Sequence, residues 1–411
     1  MFDTRRNFLK LAAGGLALPA APSAQARDPQ PIDRLSDLRP RGSGEAVIAC
    51  AGDWFLTRRL SGVVGPETEA VFNVFRRADA SFANLENGLS RVGSGELGGF
   101  RYGPSLRGDP ALASEITWSG VRAVSLANNH TGNFGPEGLL QTMATLDAEK
   151  IAHAGAGRNA DHAFAPAYVK AGDLTVAFFS AYTLYYNFGA NDQATVSAPG
   201  VAVCRAYDVV VQPQVGVDSS NFETPPNLVD LQNPCSQTIM AALRGDVDRL
   251  RTAIRAAADR SDFTVLSTHI HWGRHTKHDL PPNLRAFAQE MIDAGVDLFV
   301  GHGPHAIRGI ELYRGKPIVH SMGNLVLMAP AAGARPQLDS PNREGLLVRA
   351  TISRRAVRAL EILPIAIDEK GDPRFPSDER AGRTIAKLHG LSAPFGIDIR
   401  GTGWFATVPM S

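Results

Sequence analysis

Cysteine is scarce, with three in 411 residues. A disulfide-dense scaffold is therefore excluded, and at most one bridge is available. Cys50 lies in an apolar run and reads as core, whereas Cys204 and Cys235 flank a stretch rich in Pro, Asn and Asp. A loop-closing disulfide and two separate thiols both fit that pair. Net charge is lacking as well: 42 basic residues face 41 acidic ones, a formal charge of +1. Such a chain has no general electrostatic pull on nucleic acid or on an anionic membrane. There is no internal repeat, heptad array or low-complexity tract. What remains is ordinary globular composition, 44% hydrophobic and 20% charged, with ample apolar material for a core. The length allows two or three domains or one large α/β domain.

The N-terminus reads separately from the rest. "TRRNFLK" (Thr4 to Lys10) runs into the apolar segment Leu11 to Pro19 and then "AQA" at Ala24 to Ala26. Paired arginines, an apolar core far too short to span a bilayer and a small-x-small site are the grammar of a twin-arginine signal peptide. Cleavage is expected before Arg27, giving an exported protein of the periplasm or cell envelope. Loss of residues 1–26 removes three basic residues and one acidic, leaving 39 against 40. Residues 27–44, rich in Pro, Arg and Asp without apolar periodicity, read as a lead-in segment.

From residue 45 onward strand and helix alternate. "AVIACAGD" is a buried-strand run, "PETEAVFNVFRRAD" an amphipathic helix opened by proline, and "ASFANLE" a second strand. "VRAVSLANNH" follows as a strand, then "GPEGLLQTMATLDAEK" as a helix with Leu139, Met143 and Leu146 on one face. This is βαβ spacing. "LTVAFFSAY" is another strand, and residues 185–235, dense in Gly, Pro and Asn, read as an irregular, variable insert. Order returns with the helix "GDVDRLRTAIRAAADR", the strand "FTVLSTHIH" and the helix "NLRAFAQEMIDAG", after which "DLFVGHGPH", "PIVHSMGN" and "GLLVRATIS" are closely spaced strands.

Residues able to hold a metal fall just behind buried strands: Asp53, Glu86, Asn129 with His130, His269 with His271, and His302 with His305. In an open α/β sheet, groups beyond the carboxyl ends of strands converge on one edge. Singly, Asp53 fits a turn cap, Glu86 a solvated strand end and Asn-Asn a left-handed turn. As a set they do not. "HIHW" is expected to send one imidazole to the site and the other to the far side of its strand. Aspartate, glutamate, an asparagine carbonyl and imidazoles form an N/O shell suited to one or two divalent ions such as Mn, Fe, Co or Zn. Arg101 in "GFRYG" and Arg274 are candidate anion clamps for phosphate or carboxylate, since guanidinium pairs bidentately with both.

"GDW", "NLENGLS", "SLANNHTGNFGPEGL", "THIHWG", "GHGPHAIRGIELYRGKPIVHSMGN" and "LSAPFGIDI" together resemble the CapA family, associated with poly-γ-glutamate capsule biosynthesis, whose domain is similar to calcineurin-like metallophosphoesterases. The likeness runs from about Val47 to about Arg400. It implies a four-layer α/β/β/α sandwich over residues 45–411. It also implies Asp53, Glu86, Asn129, His271, His302 and His305 as metal ligands, with His130 protonating a leaving group. Arg101, Arg274 and His275 are the candidate substrate-binding residues, His275 standing where the family commonly has glutamate. Phe55 stands where the superfamily usually has a histidine ligand, Glu86 where it has a bridging aspartate, and Asn128 where it has glycine.

Two functions follow as expectations. In the first, the protein is a hydrolase in which metal-bound hydroxide attacks a phosphoryl or acyl centre of a phosphorylated or polyglutamate-like envelope substrate. In the second, it binds or anchors the polymer without turnover, as accessory to a membrane-bound synthase.

Overall fold

The computed structural model describes residues 35–93, 96–97, 100–101, 106–185, 193–211, 237–242, 244–270, 277–280, 282–327 and 340–410. The signal sequence expected at 1–26 lies outside them, as do His271, Arg274, His275 and Cys235.

Two of the longer helices are announced by local chemistry. Pro66–Arg77 has proline at its start, Glu67 and Glu69 in its first turn and Arg76 and Arg77 in its last, all favourable to the helix dipole. Asp378–Ser392 is capped by the Ser377 side chain, which accepts from the Arg380 amide.

Two sheets face each other. Among the described residues the first has ten strands, with Glu344–Ser353, Ala46–Trp54, Ala80–Leu85, Ala123–Ser125 and Ala152–Ala154 side by side. The second has eight described strands, with Val203–Val211, Leu174–Tyr185, Phe263–Ile270, Leu298–His302 and Lys316–Val319 in sequence. The strand Val203–Val211 falls within the stretch read as irregular. It pairs in parallel with Leu174–Tyr185 because "VAVCRAYDVVV" carries enough β-branched residues to extend the sheet.

Period-two alternation divides each strand between two cores. Val47, Ala49 and Ala51 face outward against Val71, Phe72 and Phe75 of the first helix, while Ala46, Ile48 and Cys50 face the second sheet. Across that gap Phe82 stacks on Phe178, with centroids 4.5 Å apart and planes at 17°. In the second sheet Val265 and Val300 face inward, whereas Leu266 and Phe299 face outward against Leu250, Ile254, Phe287, Ala288 and Met291 of two further helices. Three apolar interfaces therefore separate four layers, the α/β/β/α sandwich.

Cys204 is buried, its sulfur 4.0 Å from the Asp246 carbonyl oxygen, and burial pushes its thiol pKa up. Its pairing with Cys235 falls outside the described residues.

A buried carboxylate paired with a half-exposed arginine supports the far side of the second sheet. Glu311 accepts from Arg285 Nε and Nη2 at 2.9 and 2.8 Å and from Gln289 Nε2 at 2.6 Å. Burial alone would raise its pKa, but hydrogen bonds from His320, Arg285 and Gln289 hold it at about 2, below the ordinary 4.5. A depressed folded pKa gives stability that is present above the unfolded value and lost as pH falls toward the folded one. Glu311→Gln is expected to cost roughly 2 kcal/mol at pH 7. In urea titrations the gap to wild type should close between about pH 4.5 and pH 2. A gap independent of pH would contradict this.

Candidate metal centre

The site is built where the two sheets share an edge. Asp53 lies at the end of Ala46–Trp54 and Glu86 just beyond Ala80–Leu85, while His269 and His302 end Phe263–Ile270 and Leu298–His302. The parity that fills the inter-sheet core continues into the site. Asn84 and Glu86 follow Phe82 on the inward face, Ser267 and His269 follow Val265, and His302 follows Val300. Asp53 has the wrong parity for this. A register shift between Cys50 and Asp53, which pair with Phe82 and Asn84, supplies one extra residue and turns its carboxylate inward.

Side chains from both sheets then meet. Asp53 Oδ1 lies 3.2 Å from His302 Nδ1 and 3.7 Å from His269 Nδ1, and those two nitrogens are 3.0 Å apart. Asp53 Oδ2 lies 3.2 Å from His305 Nδ1 and accepts from the Gly303 amide at 3.0 Å. Glu86 Oε1 is 3.5 Å from His269 Nε2 and 3.7 Å from His305 Nε2. Asp53, Glu86, His269 and His302 are fully buried, while the His305 side chain keeps 20% exposure. The turn carrying the last histidine is constrained. A Cβ on Gly303, at φ +109°, would lie 2.7 Å from the Ile270 backbone nitrogen, and His305 itself sits at φ +54°.

The two carboxyls are driven apart. Burial would raise Asp53, but hydrogen bonds with His302 and His305 outweigh it and hold the group well below the usual carboxylate range. Burial, reinforced by the charge of Asp53, lifts Glu86 well above that range. A cation would hold both as anions.

The donors fit such a cation. Ligand atoms around one first-row ion at about 2.1 Å are separated by roughly 3 to 4 Å. Asp53, His269 and His302 meet this spacing, and Asp53, Glu86 and His305 form a second group sharing the same aspartate. Asn129 Oδ1 is also buried without a hydrogen-bond partner, as suits a carbonyl ligand.

The corner behind Ala123–Ser125 is organised by Asn128, which is buried. Its Oδ1 accepts from the His130 and Thr131 amides and the Thr131 hydroxyl, each at 3.0 Å, and its Nδ2 donates to Asn84 Oδ1 at 3.0 Å and Leu85 O at 2.8 Å. Asn84 in turn donates to Asp53 Oδ1 at 2.8 Å. Asn128 is thus a strut between the His130 turn and the aspartate. His130 Nε2 lies 3.2 Å from Asn129 Nδ2 and Nδ1 lies 2.9 Å from Asn133 Nδ2. Burial first, then the charge of His305, lowers its pKa to about 4.

Phe55 is buried, its ring centroid 6.1 Å from His130 and 5.9 Å from His305. An apolar wall therefore stands where a ligand was missing from the pattern. The expectation for "HIHW" needs correction: residues two apart on a strand share a face, so alternation cannot separate His269 from His271. It is His269 that meets Asp53 and Glu86 in the described structure. His271 lies outside the described residues together with Arg274 and His275, and of Arg101 only the backbone, in the strand Phe100–Arg101, is described. Asn84, Ser267 and Asn324 were not among the expected site residues. Parity could have found the first two, each standing two positions before a site residue on the same face.

The two-sheet α/β sandwich is consistent with a metallophosphoesterase-like fold, and the buried carboxylate–histidine cluster at its strand ends could hold a metal ion. The chain belongs to the family described as bacterial capsule synthesis protein PGA_cap, which it matches over residues 47–328. It is 30% identical over 311 residues to an uncharacterized protein of Sinorhizobium fredii, covering 68% of this chain and 65% of that one. It is 25% identical to the PGA biosynthesis protein CapA of Bacillus subtilis, covering 64% of this chain and 55% of the relative. With the capsule biosynthesis protein CapA of Bacillus anthracis identity is 24%, over 84% and 73% of the two chains. The chain thus spans just under two thirds of the Sinorhizobium protein's length.

Proposed function

We propose that the protein is an exported, metal-dependent hydrolase acting on a phosphoester or γ-glutamyl amide in the biosynthesis of poly-γ-glutamate or a related envelope polymer. The observation that carries this reading is the convergence of Asp53, Glu86, His269, His302 and His305 beside His130 at one sheet edge. The names of the Bacillus relatives support the polymer, and the twin-arginine sequence supports export to the periplasm or envelope. Among the described residues no helix is long and apolar enough to cross a membrane.

Asp53, Glu86, Asn129, His269, His302 and His305 would hold one or two divalent ions, with His271 a further candidate. Bound there, such an ion supplies Lewis acidity toward a phosphoryl or acyl oxygen and lowers the pKa of water. The protein's own part is orientation and proton handling. Gly303 and Asn84 fix Asp53, Asn128 fixes the turn bearing His130, and Phe55 shields the space between His130 and His305 from water. At neutral pH the His130 ring is uncharged, so service as a general acid requires the negative charge of a bound substrate to raise its pKa.

A second reading is favoured by Phe55. An apolar ring in place of a ligand suits a site that binds or tethers polymer without turnover, as accessory to a membrane-bound synthase.

Elemental analysis of the exported protein, alongside assays with phosphodiester and γ-glutamyl substrates, separates these readings. Bound transition metal with turnover supports the hydrolase; metal without turnover supports the accessory. Absence of metal even after reconstitution with Mn or Zn sinks the metal chemistry. His130→Ala is expected to lower kcat by roughly 10²- to 10⁴-fold while metal content stays at the wild-type level. Unchanged kcat would remove His130 from the reaction.

A further inference from the structure

We infer that Asn324 is a positioning residue that locks His305 into the tautomer protonated at Nδ1, so that His302 and His305 present opposite ring nitrogens to the two donor groups. The inference rests on the metal reading given above and concerns only this chain's own side chains.

The orientation of Asn324 is unambiguous. Its Nδ2 lies 2.8 Å from the Asn342 carbonyl oxygen, which can only accept, so its Oδ1 faces the site. That Oδ1 lies 2.9 Å from His305 Nδ1. An amide oxygen also only accepts, so Nδ1 carries the proton. A further neighbour of Nδ1, Asp53 Oδ2 at 3.2 Å, is an acceptor too and reinforces the same state. In a neutral imidazole the lone pair then resides on Nε2, the nitrogen directed at Glu86 Oε1.

His302 is held the other way round. Its Nε2 is 2.8 Å from the Ser267 hydroxyl on the side away from the carboxylate, and its Nδ1 faces Asp53 and His269. A hydroxyl can accept from Nε2–H; without a cation Asp53 Oδ1, 3.2 Å from Nδ1, competes for that proton, and with a cation bound Ser267 would keep it on Nε2 and leave the Nδ1 lone pair at the first donor group. Opposite nitrogens on histidines three residues apart let one short turn serve two positions around a shared aspartate. Neither partner makes a donor group itself. Their effect is transmitted through the rings they orient.

Long-range ¹H–¹⁵N correlation spectra of metal-free protein report the tautomers directly, and Mn and Zn titrations of the same samples report affinity. The expected result is an Nδ1–H His305 in wild type and a mixed or Nε2–H ring in Asn324→Ala, with metal affinity about 10- to 100-fold weaker. Asn324→Asp keeps an acceptor at that position and should retain the Nδ1–H tautomer, which separates orientation from packing. An Asn324→Ala protein that folds with the wild-type tautomer, or binds metal as tightly as wild type, overturns the inference. If Asn324→Ala does not fold, loss of the Nδ1–H tautomer in Asn324→Asp overturns it instead, and retention supports it. A wild-type protein that binds neither metal would instead overturn the metal reading, while the tautomer spectra, recorded without metal, still decide the role of Asn324.

Discussion

Alanine at His302 is expected to abolish the high-affinity divalent ion and, with it, measurable turnover. The ring is fully buried, and its Nδ1 closes the group with Asp53 and His269 at 3.2 and 3.0 Å. Losing a direct ligand costs more than losing the residue that orients one, so affinity should fall well beyond the roughly 10- to 100-fold of an outer-shell change. The substitution also leaves Ser267 Oγ and one face of Asp53 without their partner in a space water can enter. Inductively coupled plasma analysis after dialysis against sub-micromolar metal, paired with a urea melt, separates ligand loss from unfolding. A folded variant retaining the wild-type metal content would show that His302 is not a ligand.

The second large effect is steric. A Cβ on Gly52 would lie 1.8 Å from the Gly323 carbonyl oxygen and 2.8 Å from its carbon, both backbone atoms that cannot rotate aside. The same carbonyl accepts the Asp53 amide at 3.0 Å, and the next residue, Asn324, pairs with Asp53. Gly52→Ala must therefore push the strand Ala46–Trp54 and the paired segment 323–326 apart beside the site. A destabilisation of about 3 kcal/mol or more is expected, with impaired metal binding in whatever protein folds. Gly382→Ala provides the contrast, because a Cβ there meets nothing within 4 Å and the position lies inside the helix Asp378–Ser392. It should stabilise by roughly 0.5 to 1 kcal/mol. Equal melting of the two variants would refute the steric argument.

Much of this was legible in the sequence because period and position carry it. Apolar alternation in "AVIACAG", "ASFANL" and "FTVLSTHI" marks strands with two buried faces, and the metal-binding residue types cluster where those strands stop. The bulge that turns Asp53 inward was not legible, since "CAGD" reads as uninterrupted strand and only the partner register reveals the extra residue. The hairpin joining Glu344–Ser353 to Ala356–Ile367 was also hidden. Its turn places Arg355 at φ +54° without the glycine or asparagine that usually announces such a corner. Asn324 sits at the end of the quoted "SMGN", but its role depends on Asn342, whose carbonyl no local pattern brings near.

The centre joins chain segments that are remote from one another: Asp53 meets Gly303 across 250 positions, and Asn84 meets His269 across 185. Closing such loops is among the later events expected in folding, so a competent site exists only once both sheets have docked. Any ion with affinity for it would bind the native state and not the unfolded chain, stabilising the protein by about 2.7 kcal/mol at a hundredfold excess over its Kd. Occupancy would then act as a rivet between the two sheets, and resistance to urea or protease would itself report how much metal the compartment supplies.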